Sequence, residues 1–167
     1  MRALQVPFDG AWILKNRRKI KKELLADGTP RMEKKIAVLG GSTTNDIVSI
    51  LELFLLENGI QPTFYQSEYA RYWQDAMFEN PELEAFAPDL IFVHTSSRNI
   101  TEFPQDVYCP AAEVDAALER QYTHFTQMWE RLEQVYHCPI IQNNFELPSY
   151  RLLGNRDASD VHGKVNF

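Results

Sequence analysis

Cysteine is scarce. Cys109 and Cys138 are the 2 thiols in 167 residues. Two alone build neither a disulfide framework nor a four-ligand zinc pattern. Long apolar runs are absent too. Hydrophobic residues make up 44% of the chain, yet no stretch approaches the ~18 residues that a membrane span needs. Positive charge is in deficit, with 17 Lys and Arg against 23 Asp and Glu, for a net charge of -6. That balance is the wrong sign for a nucleic-acid interface. The opening MRALQVPFDGAW lacks the charged region and apolar stretch of a secretory signal. These absences predict a reduced, cytoplasmic chain with neither membrane nor nucleic acid among its partners. His94, His124, His137 and His162 are scattered without ligand spacing, so no metal site is expected. There is no internal repeat and no low-complexity segment.

What is present centres on KKIAVLGGSTTNDIVSILELFLLENG, Lys34 to Gly59. Ile36 to Leu39 is a short apolar run of the kind found in a parallel strand covered on both faces. Gly40 and Gly41 allow close approaches that a Cβ would block. Thr43-x-x-Asp46 has the spacing of a capping box at a helix start. Ile47, Ile50, Leu51, Phe54 and Leu55 keep helical spacing, and Asn58-Gly59 is a good stop. The spacing places a polar cluster where a parallel strand ends and helix N–H groups point outward. In open α/β sheets that is where ligands bind. GGSTTN has no lysine and fits neither G-x-x-x-x-G-K-[ST] nor G-x-G-x-x-G, which excludes a P-loop and leaves a dinucleotide fingerprint unsupported.

Residues 1–33 read as a basic helical extension, with Trp12, Ile13, Ile20 and Leu24 on one face and KNRRKIKK along the rest. The basic run is either a solvated face or a docking surface for an acidic partner. Residues 34–167 read as one α/β domain. Pro62 to Ser67 is a second strand, Tyr69 to Phe78 an aromatic-rich helix, Pro81 to Phe86 a helical turn and Leu90 to Thr95 a central strand. Ser96 to Pro110 is a long loop, and long loops in compact domains tend to be functional. A helix over Ala111 to Tyr136 buries Val114, Leu118, Phe125, Met128, Trp129, Leu132 and Val135. Ile140 to Gln142 is a last strand. The alternation predicts a three-layer α/β/α domain with a mainly parallel sheet. DASDVHGKVNF reads as the start of an element, as expected of a piece of a longer chain.

Strands one, three and four end in GGSTTN, HTSSRN and QNNFE. Nucleophilic catalysis would assign Ser42 as nucleophile, Asn99 as oxyanion donor and His162 as base. Each has a plainer reading: Ser42 as a turn or cap residue, Asn99 as a loop hydrogen-bonder, His162 as an exposed linker residue. Gly41, Thr43, Thr44, Ser96, Arg98, Asn143 and Asn144 are the candidate ligand-binding residues around them. Arg98 can grip a carboxylate or phosphate bidentately, or pair with Glu102 or Asp106 in its own loop.

A strand ending in Gly-x-Ser, a later loop Asn and a late His resemble the SGNH (GDSL-like) hydrolases. IAVLGGSTTNDI, PDLIFVHTSSRNI, PIIQNNFELP and LLGNRDASDVHG together are more closely similar to the N-terminal domain of FkbH-like proteins of the HAD phosphatase superfamily. The resemblance covers most of the chain from Lys35 onward. It implies a fold of the SGNH or flavodoxin type and an accessory role beside a HAD domain that loads a glyceryl unit onto an acyl carrier protein. Partners would be that HAD domain, an acyl carrier protein and a small-molecule ligand. The D-x-D-x-[TV] nucleophile motif is absent, so phosphatase chemistry and its Mg would belong to the neighbouring domain, with no cofactor in this segment. The blocks depart from the hydrolase pattern. Gly40-Gly41-Ser42 lacks the acid of Gly-Asp-Ser, Ser96-Ser97-Arg98-Asn99 replaces Gly-x-Asn-Asp, and Ser159 stands where Asp-x-x-His needs its carboxylate. A non-enzymatic or weakly catalytic accessory domain that binds a small polar or acyl group, or positions a carrier protein, is the expected function, with an active esterase or acyl transferase using Ser42 as the alternative.

Overall fold

The structure is a computed structural model and describes residues 4–104, 106–151 and 153–167. Four strands form one parallel sheet in the order β2-β1-β3-β4: β1 Met32–Gly40, β2 Ile60–Gln66, β3 Leu90–His94 and β4 Ile140–Gln142. The helices are α1 Gly10–Ala26, α2 Asn45–Glu57, α3 Tyr72–Met77, α4 Pro81–Phe86 and α5 Ala111–Tyr136. The predicted α/β class with a parallel sheet between helical layers holds.

Strand alternation sorts the core into two faces. Ala37 and Leu39 of β1 join Ile91 and Val93 of β3 beneath Tyr72, Ala76, Phe125, Met128 and Leu132 of α3 and α5. Ile36 and Val38 point the other way and meet Val48 of α2 with Phe64, Leu90 and Phe92. Register is pinned at the entry to β3, where the Asp89 carboxylate accepts from the Lys35 N–H at 2.8 Å and the Asp89 N–H returns a 2.8 Å bond to the Lys35 carbonyl.

The helix α1 packs on α2. Ile13, Ile20 and Leu24 are buried against Leu53 and Leu56, while Ile50 and Phe54 close the seam. Asp9 caps α1 by accepting from the Trp12 N–H at 3.0 Å. Arg31 ties the two helices, donating from Nε to the Leu56 carbonyl at 2.9 Å and from Nη2 to the Leu24 carbonyl at 2.7 Å. Those bonds satisfy helix-end carbonyls that have no intrahelical partner.

Several local expectations are corrected. Trp12 is 44% exposed and lies outside the α1 core stripe. The first and second strands begin earlier than the apolar runs suggest, at Met32 and Ile60, because parallel pairing extends from Met32 opposite Ile60. The aromatic segment is helical only from Tyr72 to Met77. In α2 the fully buried positions are Val48, Leu53 and Leu56, since α1 and the sheet press on the helix from different sides. In α5, Ala117 and Gln121 are buried while Leu118 is 47% exposed, which shifts the stripe. No helix among the described residues is long and apolar enough to cross a membrane.

Candidate functional site

At the end of β1 the sheet ladder continues into the turn. The Gly41 N–H donates to the His94 carbonyl at 2.7 Å, and the Gly40 N–H donates to the Ser67 hydroxyl at 2.7 Å. Both glycines are sterically required. A Cβ on Gly40 would stand 2.8 Å from the Ser42 carbonyl oxygen and the Thr44 methyl, and one on Gly41 would stand 2.5 Å from the Asn99 amide. Neither distance is compatible with an ordinary van der Waals contact.

The predicted capping box does not form. The helix starts at Asn45, with Thr44 as N-cap through its backbone and no side-chain cap bond. Asp46 instead lies 3.3 Å from Arg17 of α1. Thr44 is buried, Thr43 exposed and Ser42 half-buried. No hydrogen bond holds the Ser42 hydroxyl among the described residues.

The end of β3 holds a capping box that sequence reading missed. Ser96 caps the 3-10 turn Ser97–Asn99: its hydroxyl accepts from the Arg98 N–H at 3.3 Å, and its own N–H donates to the Asn99 side-chain oxygen at 2.9 Å. The Asn99 Nδ2 then donates to the Gly41 carbonyl at 3.3 Å. Asn99 therefore bridges the ends of β1 and β3 and has one amide hydrogen left over. Glu146 accepts from the Ser97 N–H at 3.1 Å and the Ser97 hydroxyl at 3.0 Å. Its own backbone N–H first, and then Ser97 and the nearby Arg98 charge, hold its carboxyl below the usual range. The Arg98 guanidinium is exposed and has no ion pair among the described residues. The intraloop pairs considered for it do not form, because Glu102 is taken by Arg120 at 2.9 Å and Asp106 accepts from the Tyr108 N–H at 2.7 Å.

At the end of β4 the Asn143 amide is fully committed. Its oxygen accepts from the Thr95 N–H at 3.0 Å and faces His94 Nδ1 at 3.2 Å. Its nitrogen donates to the carbonyls of Thr95 at 2.7 Å and Asn144 at 2.8 Å. Asn143 thus acts as a strand-end clamp. Asn144 is exposed. Beneath them, the Trp129 indole donates to Gln142 at 2.7 Å and Gln142 donates to the fully buried Thr95 hydroxyl at 3.0 Å.

His162 departs most from the triad. Its Nδ1 faces the Asp160 carboxylate at 2.8 Å, and its Nε2 lies 2.7 Å from the Cys109 carbonyl. The expectation that it lacks a carboxylate is corrected: Asp160, two residues back, supplies one. A carbonyl only accepts, so Nε2 carries a proton and offers no lone pair to a serine. The Cys109 carbonyl, and then the Asp160 carboxylate, raise its pKa. The same segment is held by Asp157, a fully buried carboxylate accepting from the Leu153 N–H at 3.2 Å and the Val165 N–H at 3.0 Å.

The fold thus gathers Gly41, Ser42, Ser96, Arg98, Asn99 and Asn143 along adjacent strand ends, and it spends His162 on the Cys109 loop. Sequence spacing singles out neither Ser67 nor Glu146, and it leaves Asp160 out of step with Asp-x-x-His. Ser67 was accessible, because it follows β2 as the other polar clusters follow their strands. Among the described residues there is no group of three His, Cys, Asp or Glu side chains arranged to hold a metal ion.

These features define an α/β domain with a parallel sheet and a polar rim at its C-terminal edge. No family model matches the chain, and no curated protein matches it. A solved structure with a similar fold is the N-terminal part of the protein BF1531 from Bacteroides fragilis, described as containing a phosphatase domain and complexed with Mg. It superimposes with a TM-score of 0.64 at 15% identity, over 89% of this chain and 38% of that one. The chain therefore spans well under half the length of that neighbour, and the likeness concerns the fold.

Proposed function

We propose that this chain is a non-hydrolytic, SGNH-like ligand-binding domain that serves an adjoining FkbH-like, HAD-type catalytic domain. It binds a small polar or acyl group at the ends of β1 and β3 and supports phosphatase or glyceryl transfer there, with an acyl carrier protein as the further partner. The observation that carries this reading is His162, whose ring nitrogens face Asp160 and the Cys109 carbonyl. A serine nucleophile needs a base with a free lone pair within hydrogen-bond reach. Ser42 has none among the described residues, whereas Arg98, at the same rim, forms no salt bridge among them.

The neighbour from Bacteroides fragilis is described as containing a phosphatase domain complexed with Mg, and we propose that in this protein such chemistry would belong to the adjoining catalytic domain.

Incubation with a serine-directed fluorophosphonate tests the reading. The expected result is no labelling at Ser42, together with unchanged carrier loading by Ser42→Ala in the full-length protein. Stoichiometric labelling that Ser42→Ala abolishes would establish the esterase or acyl-transferase alternative instead.

A further inference from the structure

We infer that the ligand of this domain is a small molecule with an anionic head and an apolar tail, seated across two adjoining cavities beside the Ser97–Asn99 turn. The inference rests on the ligand-binding reading above and names the ligand class. The first cavity, about 370 Å³, has Arg98 and Lys164 in its wall together with Ser97, Ser149 and Tyr150. Neither cation forms a salt bridge among the described residues, and the Glu146 carboxylate, hydrogen-bonded to Ser97, lies near Arg98. Lys164 Nζ stands 4.6 Å from the centroid of the Phe103 ring and 5.8 Å from that of Tyr150. It has no carboxylate partner among the described residues, and nor does Arg98.

The acids of this region are engaged elsewhere. Glu146 is held by Ser97, Glu102 by Arg120, and Asp160 by His162 and Arg156. In a chain of net charge -6, Arg98 and Lys164 put two cations in the wall of one concavity, against the single carboxylate of Glu146 held behind Ser97. A positive field in a low-dielectric wall concentrates anions. The Arg98 fork suits a phosphate or carboxylate, and a Lys seated over aromatic faces keeps its donors free for the same group.

The second cavity, about 220 Å³, meets the first at Ile100. Leu118, Tyr122, Phe125, Phe145 and Phe167 wall it. Leu118 and Tyr122 are 47% and 59% exposed, an apolar outer surface on a helix whose other exposed positions are mainly polar. Phe103 of the cationic cavity and Phe167 of the apolar one are in ring contact, with centroids 5.3 Å apart. The strip between the cavities is held rigidly. The buried Gln121 side chain accepts from the N–H groups of Thr101 at 2.9 Å and Glu102 at 3.2 Å. A head bound by Arg98 and Lys164 would thus have an apolar cavity next to it across Ile100, and burial of a tail there is driven by removal of its methylenes from water.

Titration calorimetry with inorganic phosphate and with ethyl, butyl, hexyl and octyl phosphate tests this. Affinity is expected to rise by up to about fourfold per methylene that enters the groove. Arg98→Gln and Lys164→Gln should each weaken every alkyl phosphate by about tenfold or more. Leu118→Ser and Tyr122→Ser, both at exposed helix positions, should flatten the chain-length dependence. The same alkyl series ending in carboxylate should bind in the same order.

Phosphate binding that Arg98→Gln removes but that is indifferent to chain length would overturn the amphipathic ligand and leave the binding-domain reading standing. No binding by any of these probes would overturn both. Sedimentation with phosphatidylcholine vesicles containing phosphatidic acid, without binding of the soluble alkyl phosphates, would assign the cations to a membrane surface and overturn the inference.

Discussion

Asn99 lies directly over Gly41, so closely that a Cβ on the glycine would sit 2.5 Å from the amide. The same amide donates to the Gly41 carbonyl at 3.3 Å. The pair locks the end of β1 to the turn after β3, and the polar rim depends on that contact. Gly41→Ala should destabilise the protein by about 1–3 kcal/mol through overpacking. Asn99→Ala removes the obstacle along with the bond, so the two changes should be non-additive by about 0.5–3 kcal/mol. Urea unfolding of the double-mutant cycle measures this, and strict additivity would contradict the contact.

His162 makes the C-terminal segment pH-dependent. Its folded pKa lies above the ordinary 6.5, chiefly through the Cys109 carbonyl and then through Asp160. A group raised in the folded state contributes stability that is fully present below its unfolded pKa. That contribution is lost as pH rises through the folded value. Amide exchange around Cys109 should therefore quicken across that window beyond its intrinsic pH dependence. His162→Gln, which carries no titrating proton, should abolish the extra step. An identical pH profile in wild type and variant would refute the assignment.

Gln142 joins Trp129 to the buried Thr95 hydroxyl. Gln142→Leu leaves a donor and an acceptor without partners. The expected cost is about 1–3 kcal/mol for each group left unsatisfied and buried. Denaturant midpoints together with the indole N–H resonance of Trp129 would report it. A variant as stable as the parent would show that the chain is dispensable.

Asp157→Ala should release the C-terminal segment. The carboxylate is fully buried and satisfies two backbone N–H groups, of Leu153 and Val165. The loss should be local, so limited proteolysis should cut within residues 153–167 faster while global unfolding shifts less. Asp157→Asn keeps one acceptor oxygen and should restore part of the protection. Equal cleavage of all three proteins would count against this role.

Local pattern carried much of the architecture. The span of α5, the bounds of β4 and the two glycines at the end of β1 were readable because each rests on periodicity or on a backbone property of nearby residues. The site was less legible. Thr43 and Asp46 have the spacing of a capping box, but Arg17 of α1 claims Asp46. The working box lies at Ser96 and Asn99, where Asn99 also answers to Gly41, 58 residues away. His162 has the position of a base, yet its Nε2 faces the Cys109 carbonyl, 53 residues back.

From its order of residues alone this protein is committed to a wound parallel sheet with polar strand ends, because hydrophobic alternation and turn chemistry act over a few residues. Which of those polar groups stay free was decided only when the chain closed. Hydrogen-bond capacity is finite, and segments distant in sequence compete for it through space. Asn143 and His162 spend hydrogen bonds on holding distant segments together, whereas Arg98 and Lys164 form no salt bridge among the described residues.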